Sequence, residues 1–349
     1  MNLGESSSTN KDEPQERKTK VSILAITAFI LSIVSITSIF LFYHLLYIEI
    51  PEAVVVLLIA LAAIIVGYIA FILNKRRQER LRGKSIALIG IAFLFISIVC
   101  LSVLVYVTQL VFLVKQKAQF FYIDGAIELF NSKFNGYPPS DAIDKDGRYY
   151  CGAMKLCEAL VGRDLQGFHP SSKFGADGLD ESGTFLYDPD TLGDRKGPYL
   201  PDASSNPYRL KDLYRDVGPF DGNEYVLCDI FKRNTNIDTD KKIGMPILYY
   251  KANTSKTAHD VNDPNNPENI YDYRDNRALL ALGVPGRPGI KHPLYENPKI
   301  FYEMTRNTRA AGPSVPNRAD TYILLSAGHD GLYGTQDDIA NFEFRRRPK

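Results

Sequence analysis

The chain has 349 residues, of which 45% are hydrophobic, and 41 basic side chains are balanced by 40 acidic ones to a net charge of +1. Such a balance gives no general attraction to nucleic acid or to any other polyanion, and nucleic acid is excluded as a partner on that ground. The charge is unevenly placed: residues 21–114 are almost uncharged apart from two short segments, whereas the remainder is polar and rich in tyrosine and proline.

After a polar tail at 1–20, the runs Val21–Leu46 and Ala53–Leu73 are each long enough for the roughly 30 Å hydrocarbon layer of a bilayer. A third run stays apolar from Ser85 to Val114. These runs predict three transmembrane helices, with the lipid bilayer as a partner. Asn74–Lys84 carries six basic residues and one acid, while Tyr47–Glu52 carries two acids and no base. The positive-inside rule then places residues 74–84 in the cytoplasm and residues 136–349 outside, which predicts a multi-pass inner-membrane protein of a bacterium with a periplasmic carboxy-terminal domain.

No proline lies between Ser85 and Tyr137, so the third span is expected to continue as one helix to about residue 135. Within it Phe120, Ile123, Ile127, Phe130 and Phe134 recur at spacings of three and four, the signature of one apolar face. Gly136 is the expected helix stop, and Pro138-Pro139 forbids continuation. Cys100 falls in the third span, and Cys151, Cys157 and Cys228 follow. They read either as small hydrophobes or as one disulfide with a thiol left over, since three cannot all pair.

Asp141–Tyr150, Gly175–Gly183 and Asn234–Lys242 are rich in aspartate, asparagine and glycine, a composition that suits surface turns as well as cation sites. The insertion Asn262–Asn276 reads as ordered and without a catalytic motif. The five histidines have no metal-ligand spacing, and no nucleophile elbow, phosphate loop or dinucleotide fingerprint is present, so the chain is read as a non-enzyme with no catalytic residues. Near the carboxy terminus "YILLSAGHDGLYGTQDDI", Tyr322–Ile339, passes from a buried strand into a loop with three glycines and three aspartates. Asp330, Asp337 and Asp338, with backbone carbonyls, are the candidate ligands of one cation, the alternative being a solvated turn. The spacing is not that of an EF-hand.

A long helix that is apolar in its first half and amphipathic in its second resembles the type IV pilin and pseudopilin superfamily. Five short stretches follow the order of the major pseudopilin of type II secretion: "AIELFNSKFNGYPPS" (126–140), "CEALVG" (157–162), "KGPYLPD" (196–202), "GMPILYYKAN" (244–253) and "LLSAGHDGLYGTQDDI" (324–339). The two leading spans and "GKSIALIGIAFLFISIV" (83–99) resemble a small bacterial multi-span membrane module of unknown function. The resemblance implies an α+β fold, with a pilin-like helix packed on a small antiparallel sheet and long loop insertions at 136–349. It also implies a structural calcium ion held by Asp330, Asp337 and Asp338, and partners in secretion or pilus machinery. The sequence departs from that family in two ways: it lacks a Gly-Phe processing junction, and it has no acidic residue between Ser85 and Val114. The fold is thus implied without fibre assembly. The expected role is a scaffold, and the alternative is a membrane-anchored sensor or ligand-binding module.

Overall fold

The computed structural model of the protein describes residues 82–232, 234–235, 242–287, 289–309 and 314–344. The chain divides into two compact units, Met1–Leu110 and Val111–Lys349. Helix α1, Arg82–Phe134, is a single element of 53 residues. It ends at Phe134, within a residue of the expected end, and Asn135, not the expected Gly136, takes the left-handed conformation, at φ +53°. Asparagine is among the few residues that tolerate that region.

The structure corrects the expectation of three transmembrane helices, and with it the multi-pass inner-membrane assignment. Among the described residues no helix is long and apolar enough to cross a membrane. The first two expected spans, Val21–Leu46 and Ala53–Leu73, lie outside the described residues. A run of apolar residues reports low polarity and not the identity of the surrounding solvent, and a helix packed on protein can be equally apolar. Within the second unit, which begins at Val111, the carboxy-terminal half of α1 buries polar groups. Gln119 donates to the carbonyl of Cys228 at 2.9 Å, and the backbone N–H of Ile230 donates to Gln116 Oε1 at 3.1 Å.

In the second unit the inner face of α1 is the one its spacing predicts, and Phe120, Ile123, Ala126, Ile127 and Phe130 are buried. They pack on helix α2, Gly152–Val161, and on a three-stranded antiparallel sheet. The sheet comprises β3 (Leu248–Lys251), β4 (Tyr322–Ser326) and β5 (Ile339–Ala340), in the order β3-β4-β5. Earlier in the chain β1 (Pro207–Arg209) and β2 (Tyr225–Leu227) form an antiparallel pair. Leu248 stands opposite Leu325, and Ser326 stands opposite Ile339.

Strand periodicity sorts the side chains of the central sheet into two cores. Tyr249, Tyr322 and Leu324 face α1, whereas Leu248, Tyr250, Ile323 and Leu325 face the other way. That second face is covered by the long insertion between β3 and β4, through Tyr271, Leu279, Phe301 and Tyr302. The insertion is ordered because it buries apolar side chains in this core, each contributing about 1.5–3 kcal/mol on burial.

α2 is buried along its whole length, including two ionisable residues. Lys155 donates to Asp141 Oδ2 at 2.8 Å and to the carbonyl of Ile143 at 2.7 Å. Glu158 accepts from the Tyr150 hydroxyl, and burial raises its carboxyl above the usual range. Cys151, Cys157 and Cys228 are buried and free. Burial pushes the Cys151 thiol up to about 12 and raises the other two. They act as small hydrophobes, as one of the two sequence readings has it.

Candidate functional site

Strand β4 is fully buried and delivers the chain into the acidic loop. Gly328 follows at φ +63°, and a Cβ there would stand 2.2 Å from the carbonyl oxygen of Asp337. At Gly334, with φ +96°, a Cβ would stand 2.7 Å from the Leu294 nitrogen. Both positions combine a left-handed backbone with a close approach, so both need glycine. They fold the loop back on itself and return Asp337 and Asp338 toward Asp330.

The three aspartates are therefore gathered in one turn, where they first act as staples. Asp330 Oδ1 accepts from the Leu332 N–H at 2.7 Å, and Asp337 Oδ2 accepts from the Asp330 N–H at 2.8 Å. Asp337 Oδ1 accepts from the Thr335 hydroxyl at 2.5 Å, and Asp338 Oδ2 accepts from the Gly334 N–H at 2.7 Å. Asp338 Oδ1 is different: it is buried and has no hydrogen-bond partner. Burial raises the carboxyl of Asp338 well above its ordinary range, and the charges of Asp337 and Asp330 raise it further. Burial also raises Asp330, with Asp337 adding to the effect.

A fourth carboxylate, which the sequence reading did not single out, stands behind the loop. Asp229 is completely buried and accepts from the Met245 N–H at 3.0 Å, the Phe231 N–H at 3.3 Å and the Ser326 hydroxyl at 2.7 Å. Burial pushes it up to about 7, with the charge of Asp337 contributing. Ser326 Oγ in turn accepts from the Gly328 N–H at 3.3 Å, so Asp229 ties the end of β2 and the start of β3 to the root of the loop. The available signal was an acid embedded in "YVLCDIF" (225–231), an otherwise apolar stretch.

The donor set of this loop is all oxygen, as calcium requires, and the orphaned Asp338 Oδ1 is a lone pair held out of water without a donor. The other carboxylate oxygens named above are engaged with N–H and O–H groups, and no three Asp, Glu, His or Cys residues among those described are grouped so as to hold a metal ion. Filling the site would thus require these carboxylates to turn from their staples toward a shared centre.

The other aspartate-rich stretches are turns where they are described. Asp144 accepts from the N–H groups of Ala176, Arg148 and Asp146. Burial alone would raise its carboxyl, but these three donors outweigh burial and hold it low. Asp180 staples Ser182 and Thr184 in the same manner. Most of Asn234–Lys242 lies outside the described residues, as does His44. His169, His259 and His292 each use Nε2 on a backbone carbonyl, of Thr191, Tyr302 and Gly283 respectively. His329, within the acidic loop, is half-buried and stands edge-on to Phe231.

Comparison of the chain with protein-family models, with curated proteins and with solved structures finds no match. The likeness to major pseudopilins rests on the five sequence stretches and their order.

Proposed function

We propose that the protein is a non-catalytic structural module, a scaffold whose long helix docks on other proteins of a secretion or pilus-like assembly. The observation that carries this reading is the outer face of α1. Opposite the buried stripe, Val114, Phe121 and Leu129 are 65%, 75% and 57% exposed. Isolated surface hydrophobes are ordinary, but a row of large exposed apolar side chains along one face of a well-anchored helix marks a contact surface. The histidines support a structural role, since His169, His259 and His292 each commit Nε2 to the backbone. The test is protection in the cell. Phe121→Cys in a Cys100→Ser background should react with a maleimide in the purified protein and be shielded in intact cells of the source organism. Equal reactivity in both would sink the scaffold reading.

The orphaned Asp338 Oδ1 favours an addition to this reading: the loop takes one structural calcium ion through Asp330, Asp337 and Asp338. Close carboxylates repel one another when ionised, and a divalent cation removes that repulsion. The ion would pin β5 to β4 and fix the end of the fold. Isothermal titration with calcium, repeated on Asp338→Asn, tests it. Heat of binding that survives the substitution would remove Asp338 from the site.

A further inference from the structure

The outer face of α1 has an order that its composition alone does not convey. From Val111 the exposed positions recur with a seven-residue period: Val111, Ala118, Gly125 and Ser132 form one line, and the residues at 114–115, 121–122 and 128–129 fill the intervals. A 3.5-residue repeat of this kind is the seam of a two-helix coiled coil. The line is also self-complementary when read in the reverse direction. About a point between Phe121 and Tyr122, Val114 mirrors Leu129, Lys115 mirrors Glu128, and Ala118 mirrors Gly125.

We infer that this face binds a second copy of the chain, with the two α1 helices antiparallel about a two-fold axis between Phe121 and Tyr122. A two-fold interface uses one patch twice, so residue i of one copy meets residue j of the other and the reverse. In the antiparallel register Lys115 meets the partner's Glu128 at both ends, about 20 Å apart along the helix. Lys115 has no ion pair among the described residues. In a parallel register each residue would meet itself, setting Lys115 against Lys115 and Glu128 against Glu128, which like-charge repulsion opposes. Size points the same way. Ala118 falls against the partner's Gly125 on either side of the central aromatics, so the backbones can approach closely where the side chains are smallest, and Val114 closes each end on the partner's Leu129. Each copy keeps its sheet on the far side of its own helix, because the sheet packs on the inner face.

This inference rests on the scaffold reading of the same face and names its occupant. The experiment uses two full-length chains, both Cys100→Ser, one bearing Ala118→Cys and the other Gly125→Cys. Under mild oxidation the mixture should give a disulfide-linked pair, whereas each chain alone should stay unlinked, since a disulfide requires Cα atoms within about 7 Å. Gly125→Leu provides the control. A Cβ at Gly125 meets nothing within 4 Å, so the single chain accommodates the larger side chain while the close approach is blocked. Introduced into the Ala118→Cys chain, it should convert the unmodified dimer to monomer in sedimentation. Self-linking of the Ala118→Cys chain would establish a parallel pair and overturn the proposal. A monomeric mass for the unsubstituted protein with no link in the mixture would also overturn it. If Phe121→Cys were nonetheless shielded in cells, the scaffold reading would stand with a different partner.

Discussion

The inner face of α1 and the loop after β4 meet the same sheet, yet burial has opposite consequences in the two places. On α1 it removes Phe120, Ile123, Ile127 and Phe130 from water, which is favourable and indifferent to pH. In the loop it removes Asp338 from water and, behind the loop, Asp229, which is unfavourable for their charged forms and makes stability depend on protons. One region holds the fold together and the other sets the conditions under which its last strands close.

The sharpest way to break this contrast is to put a carboxylate where only carbon belongs. Ile127→Asp should cost about 4 kcal/mol or more, combining a lost apolar side chain with an unpaired buried charge. Circular dichroism should show a chain that no longer melts cooperatively. A melting curve like that of the parent would mean that α1 does not depend on its inner face.

The next effect belongs to Asp229. Its folded pKa, about 7, lies above the ordinary 3.8, so the stability linked to its protonated form is complete below the ordinary value. That stability is lost as pH rises toward the folded value. In chelator, stability measured by urea unfolding should fall by about 4 kcal/mol between pH 4 and pH 8 from this group, because each tenfold difference in proton affinity between the folded and unfolded chain is worth about 1.4 kcal/mol. Asp229→Asn should flatten that slope, while Ile127→Ala should lower stability equally at every pH. A slope unchanged in Asp229→Asn would assign it to other carboxyls.

Calcium sharpens the comparison from the other side. At a hundredfold excess over Kd it should stabilise the folded protein by about 2.7 kcal/mol, seen as a higher melting temperature than in chelator. Magnesium should replace it poorly, because its octahedral shell is smaller and less adaptable. Asp330→Ala should abolish the difference. Superimposable curves with and without calcium would leave the loop as a set of backbone staples.

The smallest effects are expected on the outer face of α1, where the same residue types lie in water. Phe121→Ser should change the stability of the isolated chain by less than about 0.5 kcal/mol, as exposed positions usually do. Gly125→Ala should raise it by about 1 kcal/mol through helix propensity alone. A large loss in Phe121→Ser at concentrations where the protein is monomeric would mean that this face is packed within one chain.

The sequence by itself determined the uninterrupted helix ending near residue 135, the identity of its inner face, the strand Tyr322–Ser326 and the loop membership of Asp330, Asp337 and Asp338. Each follows from local rules: a proline-free run, a spacing of three and four, alternation along a strand, glycines where the backbone turns back. Tertiary structure alone decided that Asp229 lies behind a loop that follows it by about a hundred residues, and that the insertion between β3 and β4 covers the second face of the sheet. It also bears on the third apolar run: among the described residues no helix is long and apolar enough to cross a membrane. Hydropathy measures aversion to water, and that aversion is the same whether lipid, the chain's own sheet or a second helix provides the escape. A periodic pattern can show which residues seek cover, but only contacts distant in sequence show what covers them.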